Sequence, residues 1–182
     1  MAVSLLHATG TGWVPEATCP TALGGAYLEG AAWPGVELAE ANLTEADLSG
    51  ADLGGAVLTR AVARKAVLRQ ARLSCALLGE LEAAEADLTG ADLTQVRAVS
   101  ARFDGANLEK ADLTEAFLGE ASFTAAQLAG AVFRSADLGF AQLTGAALEG
   151  ADFTDANLAG ADLTGLCLRE ARWEGANFAR AQ

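Results

Sequence analysis

Residues 41–60 read ANLTE ADLSG ADLGG AVLTR, four five-residue units that vary one pattern. The same spacing continues without an insertion from Thr21 to Gln182. If the middle residue of each unit is called its centre, the centres run from Leu23 to Phe178 in steps of five and number 32. Of these centres 22 are Leu, five Phe, two Trp and three Ala, and the residue two before the centre is Ala in 27 units. One small and one large apolar residue therefore recur at fixed positions along nearly the whole chain.

The five-residue period excludes the usual amphipathic elements. An α-helix turns about 100° per residue, so apolar positions spaced by five would drift around its surface. A long strand needs strict alternation, which fails because the next Ala comes three positions after each centre. A short extended wall followed by a corner fits the pattern, with the Ala and the centre pointing inward. The sequence therefore predicts an all-β chain that turns a corner in every unit.

Glycine marks the predicted corners. Of the 18 glycines from position 21 onward, 13 lie two residues after a centre and five lie one residue after it. Turns use the backbone freedom of glycine, whereas walls do not need it. Four corners in the same sense close a square after 20 residues, and successive coils then stack at β-strand spacing. We predict a quadrilateral (four-sided) β-helix of about eight 20-residue coils over residues 21–182, with residues 1–20 as an N-terminal cap or lead-in.

Two units exchange the sizes of their inward residues. Leu81 precedes Ala83, and Val96 precedes Ala98, where most units have Ala before Leu. Each exchange roughly conserves the inward volume, so we expect both units to keep the wall geometry.

Charge and hydropathy limit the classes of partner. The net charge of −12 argues against direct binding to nucleic acid or an anionic membrane, because phosphates attract basic surfaces. Although 52% of the residues are hydrophobic, no run approaches the roughly 20 apolar residues of a spanning helix. The first residues, MAVSLLHATG, lack the basic start and long apolar run of a secretory signal. Cys19, Cys75 and Cys167 lie at unrelated phases of the repeat, which fits a reducing compartment, and we expect a cytoplasmic protein.

The sequence has no arrangement typical of a catalytic site. It has no glycine-rich phosphate loop before a helix and no CxxC pair, and its single histidine, His7, precedes the repeats. Asp and Asn recur one residue before the centre, but in a β-helix these side chains form outward ladders and do not converge. We therefore expect no enzyme activity, no cofactor and no metal site.

Residues 60–72 contain a cluster of bases without an acid, whose members are Arg60, Arg64, Lys65, Arg69 and Arg72. Such a collar around one coil could bind phosphate or a partner. Residues 20 apart stack, however, which puts Arg60 between Glu40 and Glu80, Lys65 between Glu45 and Glu85, and Arg72 between Asp52 and Asp92. Cross-coil ion pairs are the interpretation that these positions favour.

Two of the four walls carry distinctive outward residues. The acidic wall has the centres Trp33, Leu53, Leu73, Leu93, Leu113, Phe133, Phe153 and Trp173. Its candidate partner-binding carboxylates are Asp52, Asp92, Asp112, Glu115, Asp152 and Asp155. The apolar wall has the centres Leu38, Leu58, Leu78, Ala98, Leu118, Leu138, Leu158 and Phe178. Its candidate contact residues are Val57, Leu77, Val99, Phe117 and Phe140.

The tandem A(D/N)LXX units, such as ANLTE, ADLSG, ADLTG, ANLEK, ADFTD and ANLAG, resemble those of the pentapeptide-repeat proteins. The resemblance covers residues 21–182 and implies a right-handed, four-sided β-helix. Some members of that family protect topoisomerases, which implies an acidic rod that imitates DNA. Such a rod would bind a type II topoisomerase, DNA gyrase or topoisomerase IV, and shield it from a toxin or drug. The alternative is a structural or regulatory module that docks a protein through the apolar wall.

The last unit predicts self-association. No helix or proline-rich stop follows it, so Trp173 and Phe178 are expected near an unpaired β-edge. An end-to-end homodimer on a two-fold axis would cover that edge. The competing contact is the apolar wall at Leu77, Phe117 and Phe140, which would give a side-by-side pair.

Overall fold

The computed structural model describes residues 22–182, and they form a right-handed, four-sided β-helix, which confirms the fold class expected from the repeat. The cap or lead-in expected at residues 1–20 lies outside the described residues. On each wall, the residue before the centre pairs in parallel with the residues 20 before and 20 after it, from Ala22–Asn42 to Asn157–Asn177. The chain turns before a longer strand can form. Among residues 22–182 the only helix is a 3-10 helix, Leu168–Glu170.

The backbone hydrogen bonds repeat from wall to wall. On one wall, the N–H of Leu53 donates to the carbonyl of Arg72 in the next coil at 2.7 Å. The N–H of Asp52 donates to the carbonyl of Ala31 in the preceding coil at 2.8 Å. The corner is closed by the N–H of Ala56, which donates to the carbonyl of Leu53 at 3.0 Å. Each coil is therefore bonded to the coils on both sides.

The corners are β-turns whose third residue has a positive φ, as a type II turn requires. Glycine fills 13 of these positions with φ between 64° and 79°, which confirms the predicted use of glycine at the corners. A further 18 are filled by other residues with φ between 54° and 63°. Left-handed backbone costs a residue with a Cβ roughly 1–2 kcal/mol, and the stacking of the coils offsets this cost.

The core is a continuous column of inward alanines and centres that are buried from Leu23 to Leu163. Leu81 and Ala83 are 4% and 0% exposed, so the exchange of large and small residues keeps both inside, as predicted. Aromatic centres follow one another in the later coils. The rings of Phe133 and Phe153 stack with centroids 4.6 Å apart.

The unit at residues 166–170 departs from the predicted wall. Leu166 is half-buried and the expected centre, Leu168, is 44% exposed at the start of the 3-10 helix. Both inward positions of this unit are leucines, Leu166 and Leu168, whereas most other units pair a large residue with a small one. Two leucines would therefore compete for the volume that one normally fills. The indole N–H of Trp173 donates to the carbonyl of Leu168 at 2.7 Å and fixes the displaced turn.

The displaced unit leaves a gap in the hydrogen bonding of its wall. The last bridge on this wall joins Gln127 to Ala147. Within the described chain, the N–H groups of Leu148 and Gly150 have no ladder partner, although Leu148 itself is only 1% exposed. The regular pairing therefore ends one coil earlier on this wall than on the two walls that follow it.

Candidate protein-binding surfaces

The recurrent Asp and Asn residues cap the corners. Asp112 Oδ1 accepts the backbone N–H of Thr114 at 2.9 Å and its hydroxyl at 2.6 Å. Asn42 and Asn107 accept the equivalent backbone N–H, each at 3.0 Å. The cap therefore needs the side-chain oxygen but not the negative charge, which remains available for contact with a partner.

The outward column of the acidic wall alternates in charge at first and then carries two adjacent acids. Arg72 pairs with Asp52 at 3.8 Å, and the next two residues in the column are Asp92 and Asp112, joined directly by a parallel bridge. Glu115 lies at the adjoining corner and accepts a hydrogen bond from Gln95 at 2.7 Å. Within residues 22–182, none of Asp92, Asp112 and Glu115 forms an ion pair.

The remaining candidates on the acidic wall lie beyond Val132, which interrupts the column. Asp152 is 6% exposed and pairs with Arg134 at 2.7 Å. Burial alone raises the pKa of Asp152, but hydrogen bonds from the hydroxyl and N–H of Thr154, together with Arg134, hold that pKa below its usual range. Asp155 is an exposed corner residue with a φ of 58°. The structure thus brings Asp92, Asp112 and Glu115 together and separates Asp152 and Asp155 from them.

The basic collar is neutralised by the coils on either side. Arg60 pairs with Glu40 at 2.7 Å and Lys65 with Glu85 at 3.7 Å. These pairs and the Arg72–Asp52 pair confirm the predicted 20-residue stacking of charges.

Two further collar pairs join residues 18 apart. Arg64 contacts Glu82 and Arg69 contacts Asp87, each at 2.6 Å. Burial raises the pKa of Asp87. The hydrogen bonds from Thr89 and Arg69 have the larger combined effect, so the pKa is lowered overall. Every base of the collar has an acidic neighbour, so the collar is not a free phosphate site.

The apolar wall carries a compact patch and one separate residue. Leu77, Val99 and Phe117 lie on successive coils and are 38%, 47% and 46% exposed. Val57 is half-buried above Leu77. Phe140, 67% exposed, lies instead at the corner that leads to the next wall, where its ring covers Gly160.

Arg97 divides the apolar column. It bridges to both Leu77 and Phe117, and its guanidinium lies over the Phe117 ring, 5.2 Å from the centroid. A shallow groove along this edge joins Phe117 and Asp137 to Glu115 and Gln95 at the corner of the acidic wall. The two candidate surfaces are therefore neighbours across one edge of the rod.

The residues of the predicted end contact remain partly open. Trp173 is half-buried and stacks on Phe153 with centroids 4.4 Å apart. Phe178 is 38% exposed and its ring centroid lies 5.4 Å from that of Trp173. With the displaced Leu168, they form an apolar group at this end of the β-helix.

Eight copies of the family model for pentapeptide repeats match the chain, over residues 23–60, 64–97, 101–139, 136–172 and 156–182. The chain belongs to the pentapeptide-repeat family. The matched model describes a structural repeat and not a catalytic domain. A comparison with curated proteins finds no match.

Solved structures of other pentapeptide-repeat proteins share this fold. Two trypsin-treated variants of QnrB1, described as a plasmid-mediated fluoroquinolone resistance protein, are each 21% identical over 88% of this chain. The matches cover 81% and 79% of the QnrB1 chains, with TM-scores of 0.71 and 0.64. HetL, a pentapeptide repeat protein involved in heterocyst differentiation regulation from the cyanobacterium Nostoc sp. strain PCC 7120, is 30% identical over 84% of this chain and 87% of its own, with a TM-score of 0.33.

Metal-binding groups, cysteines and membrane-spanning helices are further features that bear on function in the described part of this pentapeptide-repeat chain. Residues 22–182 contain no group of three His, Cys, Asp or Glu side chains arranged to hold a metal ion. Cys75 and Cys167 are exposed free thiols. No helix in the same range is long and apolar enough to span a bilayer.

A diagonal contact between coils was missed by reasoning from the sequence. The residue after a centre reaches the residue before the centre in the next coil, 18 positions later. Arg134 and Asp152 meet in this way, and the Thr144 hydroxyl donates to Asp162 at 3.1 Å. The repeat contained the signal, because a side chain at the corner leans toward the coil that follows.

Proposed function

We propose that this protein is a non-enzymatic, acidic, protein-binding rod that imitates DNA. Its partner in this proposal is a type II topoisomerase, DNA gyrase or topoisomerase IV, which it protects from a toxin or drug. The observation that carries the proposal is the group of Asp92, Asp112 and Glu115, whose carboxylates have no ion pair among residues 22–182. The proposal needs no cofactor, and since such a partner acts on chromosomal DNA it includes a cytoplasmic location.

The spacing of these carboxylates supports the imitation of a phosphate backbone. Asp92 and Asp112 occupy adjacent coils, about 4.8 Å apart along the rod. Phosphates on one DNA strand advance about 3.4 Å per nucleotide along the axis. A basic channel that binds DNA would therefore meet charges of the same sign at a similar pitch, and the net charge of −12 would speed the encounter.

The shared fold supports the choice of partner. QnrB1 is described as a fluoroquinolone resistance protein, and fluoroquinolones poison type II topoisomerases. This chain has the same four-sided β-helix over most of its length, with a TM-score of 0.71. A rod of about eight coils is roughly 40 Å long, which is long enough to lie along a DNA-binding groove.

A supercoiling assay tests the proposal. The purified protein is added to DNA gyrase and to topoisomerase IV, with and without a fluoroquinolone. We expect it to inhibit supercoiling or to relieve the poison at about 10 µM or below, and we expect direct binding to weaken steeply with added salt. If the protein has neither effect on either enzyme at that concentration, the proposal fails.

A pair of matched variants locates the contact. Asp92→Asn with Asp112→Asn removes two charges while asparagine keeps both corner caps, and we expect affinity to fall at least tenfold. The control is Asp47→Asn with Asp162→Asn, which makes the same change of net charge on the two other walls. Asp152 is left unchanged because it is buried and paired with Arg134. Equal losses in the two double variants would contradict a contact through the acidic wall.

We also propose that two rods associate end to end through Trp173 and Phe178. The support is the partly open apolar group that these residues form with Leu168. Sedimentation at about 100 µM should give a dimer for the wild type and a monomer for Phe178→Glu, whereas Phe117→Glu should remain dimeric. Loss of the dimer only in Phe117→Glu would favour the side-by-side pair, and a monomeric wild type would exclude both.

A further inference from the structure

We propose that the apolar wall is a second docking surface, next to the acidic wall, for a segment of another protein that has an apolar centre flanked by lysine or arginine. The centre of this surface is the patch of Leu77, Val99 and Phe117 on three successive coils. The inference does not rest on a topoisomerase partner.

The shape of the patch suits an extended or looped segment. Val99 stands between Gly79 and Gly119, which occupy the same corner position in the adjacent coils. No side chain projects from the two positions beside Val99, since both glycines lack a Cβ. A Cβ built at Gly79 or Gly119 would meet no atom closer than 3.8 Å, so both positions have room for an added group, and Leu77 and Phe117 lie on the adjoining flat of the wall. A partner's apolar side chains can pack over these glycines beside Val99.

The rim of the patch sets the charge of the partner. Four carboxylates surround the patch, and in the described chain none of them forms an ion pair. They are Glu80, Glu115, Glu120 and Asp137. The cation at the centre of the patch is Arg97, whose guanidinium lies on the Phe117 ring. The neighbouring Arg60 and Arg102 pair instead with Glu40 and Asp104. The rim is therefore net negative and complements a segment with basic residues on both sides of its apolar centre.

Hydrogen bonds position part of this rim. Glu115 accepts from Gln95 at 2.7 Å and Glu120 from the Ser100 hydroxyl at 3.3 Å. These contacts leave acceptor capacity on each carboxylate, which can bind two or more donors. A lysine or arginine of the partner would meet a carboxylate that is already oriented.

The area and charge of the wall argue against a second copy of this chain. The whole wall is about 40 Å by 10 Å, which is roughly half of the 800 Å² per partner that a stable interface buries. A two-fold contact would also bring two net-negative rims together. A single basic segment fits both limits, because it covers only the three coils of the patch.

Three synthetic peptides of about eight residues test the inference by fluorescence anisotropy. The first has a Val-Phe-Leu-Val centre with two lysines at each end, the second has the same centre with glutamates at the ends, and the third has a serine centre with lysines at the ends. We expect the first peptide to bind at least tenfold more tightly than the other two. Equal binding of the first and third would reduce the surface to unspecific acidity and overturn the proposal, as would no binding by any peptide at about 1 mM.

Variants of outward residues locate the peptide without disturbing the core. Leu77→Ser with Phe117→Ser should weaken the first peptide at least tenfold by removing the apolar centre. Glu80→Gln with Glu120→Gln should weaken it to a similar degree by removing two rim charges. The control Tyr27→Ser removes an exposed aromatic residue from a different wall and should change the affinity less than twofold.

Two outcomes decide against this assignment. Binding that survives both double variants would mean that the peptide lies elsewhere. Conversion of a wild-type dimer into a monomer by Leu77→Ser with Phe117→Ser would mean that a second copy occupies the patch. The same double variant should retain any effect on a topoisomerase, so failure of this inference is distinguishable from failure of the proposed function.

Discussion

A leucine replaces the inward alanine in both a middle coil and the final coil, but the two coils accommodate it in different ways. In the middle of the rod, Leu81 replaces an inward alanine, and both it and Ala83 remain buried. In the final coil, Leu166 makes the same replacement, but Leu168 is displaced and 44% exposed. The difference teaches that the combined volume of the two inward residues decides whether a unit stays in the wall. A large residue at one position is tolerated only when the other becomes small.

Position along the rod adds to the effect of volume. A middle unit is bonded to coils on both sides, so its displacement breaks two sets of ladder bonds. Among the described residues, the unit at residues 166–170 has a neighbouring coil on one side only, so it can form at most one set of ladder bonds. Leaving the wall therefore costs less there, and the overpacked unit adopts the 3-10 turn.

The largest expected effect compares the same position of the unit in the two regions. Leu113 is 0% exposed, and Leu113→Asp should cost more than about 4 kcal/mol because it removes a buried leucine and desolvates a carboxylate. Leu168→Asp, at a displaced centre, should change the unfolding free energy by less than about 1 kcal/mol. Urea denaturation followed by circular dichroism measures both. A comparable loss in the two variants would mean that Leu168 is as buried as the other centres.

Restoring the small residue should remove the difference between the regions. Leu166→Ala leaves room for Leu168 to point inward and for residues 167 and 169 to accept from Leu148 and Gly150. Two new ladder bonds would contribute about 1–3 kcal/mol. Hydrogen exchange should therefore slow at the Leu148 and Gly150 amides, while amides of the middle coils keep their rates. Unchanged exchange at both amides would show that inward volume is not what displaces this unit.

Two carboxylates on the acidic wall extend the comparison to charge. The pKa of Asp152 is lowered in the folded state, so its contribution to stability is present above the unfolded pKa of about 3.9 and is lost as the pH falls through the folded value. Asp152→Asn should cost about 1–3 kcal/mol at pH 7 by removing the charge that Arg134 and Thr154 stabilise.

Measurements at two pH values check the sign of this effect. The difference between wild type and Asp152→Asn should shrink when urea denaturation is repeated below about pH 3. The control Asp92→Asn keeps its corner cap, has no ion pair to lose in the described chain and should differ from wild type by less than about 0.5 kcal/mol. A larger cost at Asp92 than at Asp152 would contradict the structural roles assigned to the two carboxylates.

The smallest expected effect concerns the corners. Ala125 has a φ of 56°, and Ala125→Gly should raise the unfolding free energy by up to about 1 kcal/mol by relieving left-handed strain. Ala129→Gly, one position earlier in its turn, has no such strain to relieve and should lower it by about 0.5–1 kcal/mol. Thermal unfolding of the two variants gives the signs. Destabilisation by both would show that the stacked coils already remove the strain at Ala125.

The sequence was sufficient for the fold because one spacing governs nearly every unit. The inward positions, the corner glycines and the ion pairs between residues 20 apart all follow from it. The diagonal pairs, such as Arg64 with Glu82, did not follow because they depend on the direction in which a corner side chain leans. The displaced unit at residues 166–170 did not follow from the spacing either, because Leu166 and Leu168 occupy regular positions and only their combined volume moves Leu168 out of the wall.

The candidate surfaces were only partly predictable for a related reason. The sequence assigns Asp92 and Asp152 to the same column, but their burial and partners come from neighbours at other offsets. Phe140 shares a wall with Phe117 in the repeat, yet a corner position directs its ring toward Gly160. Column membership follows from counting residues, whereas exposure depends on the shape of each side chain and of the one beneath it.

The single bridge that each wall makes per coil gives every outward residue a phase equal to its number modulo 20. Removal of a 20-residue coil preserves that phase and shortens the rod, so each surface continues to face the same direction. Removal of one five-residue unit turns everything beyond it by a quarter of a revolution. Deleting residues 81–85, for example, would bring Arg97 and then Phe117 into the column of Asp52 and Arg72, while Asp92 and Asp112 would move into the column of Asp47. Length variation in such a chain is therefore a means of re-aiming its surfaces without altering a single contact residue.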